Sequence, residues 1–274
     1  MTRVALVQLC SGDDPAANLP ATRALVQKAA AEGARFVLTP EVTNCVSTSR
    51  AHQEEVLSPE ETDVTLAALR AEADALGIWL LIGSLALKTD DPDGRFANRS
   101  FLIDPSGNIT ARYDKIHMFD VDVSASERYR ESAGYRPGSV SELAQVDGTP
   151  VGLSICYDVR FPHLYRKLAQ AGASILTVPS AFSTATGPSH WEVLLRARAI
   201  ETGCFVLAPA QTGQNTRKRA THGHSLAVSP WGTVLADGGS APGITLVDLD
   251  LSDVEKSRHR IPALRHDREF EDPA

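Results

Sequence analysis

The chain has 274 residues, 43% of them hydrophobic and 22% charged, proportions ordinary for a globular protein with a large core. Its formal net charge of −7, without any long basic run, argues against a general nucleic-acid binder. No apolar stretch approaches the length of a membrane span, and the six residues between Arg3 and Cys10 are too few for a secretory h-region. Four cysteines, at 10, 45, 156 and 204, show no CxxC spacing, so neither a zinc site nor a disulfide framework is suggested. A cytoplasmic protein without metal or cofactor is expected.

In chain order, "RVALVQL" (3–9) reads as a strand, "NLPATRALVQKAAAEG" (18–33) as a helix and "RFVLT" (35–39) as a strand. "SPEETDVTLAALRAEADALG" (58–77) reads as a helix opened by a capping box, Ser58 with Glu61, and by Pro59 at the first helical position. "IWLLIGSL" follows as a buried strand, and "ANRSFLIDPSGNITARY" as a hairpin turning at Pro105-Ser106-Gly107. The second half repeats this grammar. "GARFVLTPE" at Gly33 is similar to "GASILTVPS" at Gly172, "LGIWLLIG" at Leu76 to "TGCFVLAP" at Thr202, and "SFLIDPSGNITA" at Ser100 to "SLAVSPWGTVLA" at Ser225.

Each half is thus an α/β unit with a mixed sheet. Helices cover one face of each sheet, and the partner sheet is the natural cover for the other. The expectation is a four-layer αββα sandwich of two pseudo-symmetric halves. With no linker between them, one domain over residues 1–274 is expected.

Three polar residues stand at strand ends, where α/β proteins build ligand sites. Glu41 follows "FVLTP", Lys115 follows "ITARYD" and Cys156 follows "VGLSI". A free cysteine is more often a small buried hydrophobe, and Cys10, Cys45 and Cys204 are read that way. Cys156 differs because a helix-like stretch follows it, and unpaired N–H groups at a helix start would lower its pKa. Taken singly, Glu41 could be a helix cap and Lys115 a solvated charge. A Cys–His protease is the competing nucleophilic reading. None of the eight histidines has a context that forces pairing with Cys156, and local protease signatures are absent. His117 and His190 are read as structural or pocket-lining.

The segments "TPEVTN", "YDKIHMFD" and "GLSICYDVRFP" resemble, in order, the three active-site segments of the nitrilase superfamily of carbon–nitrogen hydrolases. The resemblance runs on through "PSAFSTATGPSHWEVLLRARAIETGCFVLAPAQTG" to "GHSLAVSPWGTVLA" and so covers nearly the whole chain. It implies an αββα fold, a hydrolase without cofactor, and an oligomer that is at least dimeric. Helices at 162–171 and 187–202 would be its contact surfaces.

The resemblance also implies roles. Cys156 would attack the amide carbon and form a thioester, Glu41 would act as general base, and Lys115 would hold the oxyanion with the backbone N–H of Tyr157. Glu131 matches a second glutamate that hydrogen-bonds the lysine. Arg160, four residues past the nucleophile, would bind a substrate carboxylate, to which a planar guanidinium is suited. Phe182 and Thr186, in "PSAFSTATGP", would line the substrate site. Arg217, Lys218 and Arg219 form a basic patch expected at the pocket rim.

Within the family these strings are most similar to the branch acting on deaminated glutathione. That substrate, a small-molecule amide with two distant carboxylates, is the expected one. ω-Amidase action on α-ketoglutaramate is the alternative, and a binding protein that kept the fold without catalysis is the alternative of another class.

Overall fold

A computed structural model describes residues 2–123 and 128–271. The first half runs β1 (Thr2–Gln8), α1 (Pro15–Ala31), β2 (Phe36–Leu38), α2 (Arg50–Val56), α3 (Val64–Leu76), β3 (Trp79–Leu87), β4 (Ala97–Ile103) and β5 (Ile109–Asp114). A small hairpin of β6 (Asp120–Asp122) and β7 (Arg128–Arg130) follows. The second half runs β8 (Glu142–Val146), β9 (Thr149–Leu153), α4 (Pro162–Gln170), β10 (Ile175–Thr177), α5 (Gly187–Thr202) and β11 (Phe205–Ala208). It continues through β12 (Thr212–Thr216), β13 (Arg219–His222), β14 (Leu226–Val228), β15 (Val234–Asp237), β16 (Gly243–Leu249) and α6 (Ser252–Arg260).

Two six-stranded sheets result, ordered β16–β1–β2–β3–β4–β5 and β8–β9–β10–β11–β14–β15. Read in that direction they share one scheme: an antiparallel edge, three parallel strands, then two antiparallel strands. Strand alternation then sorts the side chains into layers. Val4 and Leu6 of β1 join a core with Leu153 and Leu176 of the other sheet, while Ala5 and Val7 pack with Val26, Leu66 and Leu69 of α1 and α3. The first core continues to Leu164, Leu168, Trp191 and Leu195 of α4 and α5. The order of layers is therefore helix–sheet–sheet–helix. Each fully buried leucine stabilises this arrangement by about 1.5–3 kcal/mol relative to an exposed one. Among the described residues no helix is long and apolar enough to cross a membrane.

Some boundaries differ from the sequence reading. The helix expected from Ser58 begins at Val64, where the Asp63 carboxylate accepts the Leu66 N–H at 2.7 Å. The preceding residues, Glu60–Thr62, form one 3-10 turn. Glu60 is tied across the first sheet to Arg99 and Arg112, which holds that turn off the helix axis. Helix α1 starts earlier than expected because Asp14 caps the N–H groups of Ala16 and Ala17. Helix α2 and the edge strands β8 and β16 were not expected.

Candidate active site

Glu41 sits in the turn after β2. Its successor Val42 has φ +46°, a left-handed conformation costly for a β-branched residue. The Val42 N–H is held by Ser84 Oγ at 2.7 Å, and the Thr43 hydroxyl donates to Pro40 O at 2.7 Å. Opposite this turn stands Gly83, where a Cβ would lie 2.0 Å from Thr39 O and 2.5 Å from the Pro179 side chain. The glycine thus lets the first sheet's end close against the second half.

Cys156 follows β9 directly and opens a short 3-10 helix, Cys156–Arg160. Its φ is +48°, also left-handed, and its N–H donates to Pro179 O at 2.9 Å. Lys115 leaves the end of β5, with its N–H on Asn98 O and its carbonyl accepting from Gly138 N. Glu131 stands in the short 3-10 turn after β7.

These four side chains meet. Lys115 Nζ donates to Glu41 Oε1 and to both oxygens of Glu131, each at 2.9 Å. The Cys156 thiol and the Glu41 carboxylate face the same cavity, close enough for each to shift the other's pKa. Glu41 Oε2 accepts the Ala181 N–H at 2.8 Å, and Glu131 Oε2 accepts that of Phe119 at 2.6 Å. Lys115 is 2% exposed and Glu41 4%, so the charges face each other rather than water.

Burial alone would raise the Glu41 carboxyl. The Lys115 charge, the hydrogen bonds from Lys115 and Ala181 and the neighbouring Cys156 thiol outweigh it and hold the group below the usual carboxylate range. Burial would likewise lower Lys115, but Glu131, Glu41 and Cys156 keep it well above its ordinary value. The expected lowering at Cys156 is not found. Burial first, then the Glu41 charge, push its thiol far up, with Lys115 only partly opposing. A five-residue 3-10 helix supplies too little dipole to reverse this. At neutral pH Cys156 is therefore a thiol, Lys115 an ammonium and Glu41 a carboxylate.

Cys156, Glu41, Lys115 and Glu131 open into a cavity of about 520 Å³, also lined by Tyr157, Phe182 and Thr186. Arg160 is not part of the lining. Its guanidinium lies over the Tyr157 and Phe182 rings, 5.8 and 5.5 Å from their centroids, with a nitrogen 3.2 Å from His190 Nδ1. Of the basic patch, Lys218 and Arg219 reach the cavity and Arg217 does not. Arg219 is fixed there by Tyr129 OH at 2.6 Å and Ala181 O at 2.7 Å.

The sequence reading missed several lining residues. Asn98 donates to Glu41 Oε1 at 2.9 Å and to Glu131 Oε1 at 3.3 Å, bridging the two carboxylates. Its signal was there, since Asn98 and Ser100 are polar at consecutive inward positions of a strand. Arg128 and Arg130 also face the cavity, contributed by the β6–β7 hairpin. Arg50 joins them, pinned by Ala133 O and Gly94 O. Among the described residues no cluster of His, Cys, Asp and Glu has an arrangement that could hold a metal ion.

A model of the carbon–nitrogen hydrolase family matches residues 3–259. A mouse protein named deaminated glutathione amidase is 40% identical over 97% of this chain and 83% of its own. One of the same name from Yersinia enterocolitica is 38% identical over 97% and 92%. The crystal structure of the C. elegans NitFhit protein superposes with a TM-score of 0.91 at 34% identity, covering 97% of this chain and 65% of that longer one. A mutant of the amidase from Nesterenkonia sp. AN1, with acrylamide added to its active-site cysteine, superposes at 0.78 with 27% identity, covering 96% of this chain and 98% of that one. In sequence, fold and the meeting of a thiol with two carboxylates and an ammonium, this chain belongs to the carbon–nitrogen hydrolase family and is an amidase.

Proposed function

We propose that the protein hydrolyses the amide of deaminated glutathione, giving α-ketoglutarate and cysteinylglycine. The observation that carries this reading is the pairing of the buried Glu41–Lys115–Glu131–Cys156 cluster with a cationic cavity wall. Arg50, Arg128, Arg130, Lys218 and Arg219 all line one cavity in a chain of net charge −7. Such a wall favours a substrate carrying two carboxylates. The deaminated glutathione amidase relatives add support from outside the structure.

The proposed chemistry begins with a neutral thiol. As Cys156 Sγ bonds to the amide carbon, its proton passes to Glu41, the carboxylate beside it in the cavity. Neutralising Glu41 removes one of the two carboxylates facing Lys115, so the ammonium's field turns to the oxyanion forming beside it. Glu131 keeps Lys115 charged and in place throughout. Glu41 then protonates the leaving dipeptide amine as the C–N bond breaks, and a thioester remains. Water attacks that thioester while giving a proton to Glu41. The C–S bond breaks, α-ketoglutarate leaves, and the proton returns to sulfur. Phe182 and Thr186 flank the acyl portion in this reading, and Lys218 with Arg219 meets the distant glycine carboxylate. Arg160 braces the rings of Tyr157 and Phe182 from behind.

The proposal extends to a cytoplasmic homodimer or higher homo-oligomer. Val193 and Ile200, seven residues apart on α5, are 65% and 55% exposed, and Trp231, next to the Gly232 that packs near Ile200, is 46% exposed. An apolar strip of this kind suits a second copy of the chain.

The substrate is tested with a panel of deaminated glutathione, α-ketoglutaramate, N-carbamoyl amino acids and aliphatic nitriles. The highest kcat/KM is expected on deaminated glutathione. A preference for α-ketoglutaramate would make the protein an ω-amidase, and absence of turnover on every member would favour a non-catalytic role.

A further inference from the structure

Two features of the nucleophile's surroundings are not used by the chemistry above. One is the left-handed backbone of Cys156 itself, φ +48°. A non-glycine residue keeps such a conformation only where neighbouring contacts over-determine it. The other is Asp158, a carboxylate with 0% exposure, two residues past the nucleophile and outside the cavity lining. A buried charge is tolerated only when donors surround it.

Asp158 has four such donors. Its Oδ2 accepts the Ile155 N–H at 2.8 Å and the Tyr113 hydroxyl at 2.7 Å. Its Oδ1 lies 3.0 Å from the His117 backbone N–H and 2.7 Å from His117 Nδ1. A carboxylate can only accept, so Nδ1 carries the proton of that last bond. Ile155 immediately precedes the nucleophile. Tyr113 and His117 stand two residues either side of Lys115. One carboxylate therefore ties the cysteine's turn to both flanks of the lysine's segment.

The donors are themselves immobilised. The His117 ring stacks on Phe161 at a centroid distance of 3.6 Å and an interplanar angle of 8°. Tyr113 is 1% exposed within the core between the sheets. Burial, then the Asp158 charge, push its hydroxyl well up, so it stays protonated and donates.

We propose that Asp158 is a positioning residue, which holds the Cys156 elbow in register with the Lys115 segment through Ile155, Tyr113 and His117. This role rests on Cys156 being the nucleophile of the proposed reaction, and is independent of which amide is cleaved. Asp158 touches no reacting atom. What it sets is the placement of the thiol against Glu41 and Lys115, on which proton transfer depends.

The test uses Asp158→Asn and Tyr113→Phe in the full chain. Asparagine keeps the shape but replaces one acceptor oxygen by a donor, so one pair of bonds is lost. For that variant kcat should fall by about ten- to hundredfold while KM stays within about twofold. Tyr113→Phe removes one of the four bonds and should lower kcat by about three- to tenfold. Alkylation of Cys156 by iodoacetamide should slow in parallel, since Glu41 no longer meets the thiol squarely. Peptide mass spectrometry separates that adduct from one on exposed Cys10.

A purely structural Asp158 would lower the unfolding temperature while leaving kcat and the alkylation rate per folded molecule at wild-type values. That result overturns the proposal. If Asp158→Asn does not accumulate as folded protein, Tyr113→Phe decides by the same two rates. Failure of the nucleophile assignment would look different, because Cys156→Ala would then still turn over.

Discussion

The two sheets share one strand order, but they serve the chemistry unequally. The register sets Val4 beside Phe36 in the first sheet and Val151 beside Ile175 in the second. Leu9 therefore stands in the first sheet where Cys156 stands in the second, and Ser180 stands where Glu41 does. Leu9 is bridged to Gln211 and Ser180 to Ala210, so these two ends go on pairing as strands. At the other two ends the chain turns out through left-handed residues, Cys156 itself and Val42 next to Glu41. A repeated fold offers each station twice. The proposed chemistry lies where the backbone leaves the sheet at some cost, not where pairing continues.

The comparison breaks if a matched substitution hurts equally in both sheets. The largest effect is expected from Cys156→Ala, which should reduce turnover by more than about 10⁴-fold with an unchanged circular dichroism spectrum. Glu41→Gln keeps size and shape but cannot take the thiol proton, and should cost about 10²–10⁴-fold in kcat. Ser180→Ala at the matching station should stay within about threefold of wild type. Among the described residues its hydroxyl donates to Val178 O, a contact of about 0.5–1.5 kcal/mol.

Stability against pH sharpens the comparison, because the first half buries one thiol and the second half two, Cys156 and Cys204. Cys45, in the first, is pushed up to about 12 by burial and by the charges of Asp13 and Asp14. Cys156, in the second, is pushed up further. A folded pKa above the unfolded one contributes stability that is fully present below the unfolded value, near pH 8.5 for a thiol. It is lost as pH rises towards the folded value, at up to about 1.4 kcal/mol per pH unit for each thiol. Denaturant unfolding at pH 8, 9 and 10 should show this decline, and Cys45→Ala should make it shallower. Glu41 behaves oppositely. Its depressed pKa contributes stability above the unfolded value, lost as pH falls through the folded one.

Smaller effects are expected around the cavity mouth. Lys218→Ala should raise KM for deaminated glutathione by about three- to tenfold and hardly alter it for α-ketoglutaramate, which lacks the distant carboxylate. Arg217→Ala should change neither, since that side chain lies off the cavity. Arg160→Lys should cost about threefold in kcat/KM, the loss of a flat guanidinium behind two rings. A hundredfold loss there would mean instead that Arg160 grips a substrate carboxylate directly.

Much of this was legible from the letters. Repeated "GARFVLTPE"-type strings revealed the paired sheets because strand, turn and crossover each leave a local signature. The ends at Glu41, Lys115 and Cys156 stood out as polar residues closing apolar runs. What was not legible depends on three-dimensional proximity. The cap expected at Ser58 falls instead at Asp63, because Glu60 is held by Arg99 and Arg112 from the sheet. The helix-start argument for a thiolate failed because local sequence does not show that Cys156 is buried against Glu41. Asn98 and the hairpin arginines could be placed at the cavity only once β4, β6 and β7 had positions.

The burial of a neutral Cys156 also bears on how the protein meets oxidants. Peroxides climb the sulfur oxidation ladder from the thiolate, and a low-pKa nucleophile is vulnerable whenever it idles. In the proposed reaction deprotonation is coupled to attack on a bound amide, which would keep the resting sulfur on the reduced rung. Cys10, expected from the sequence to be buried, is in fact exposed and meets oxidants first. An enzyme built this way trades standing nucleophilicity for durability, keeping its reactive state for the moments when the cavity is filled.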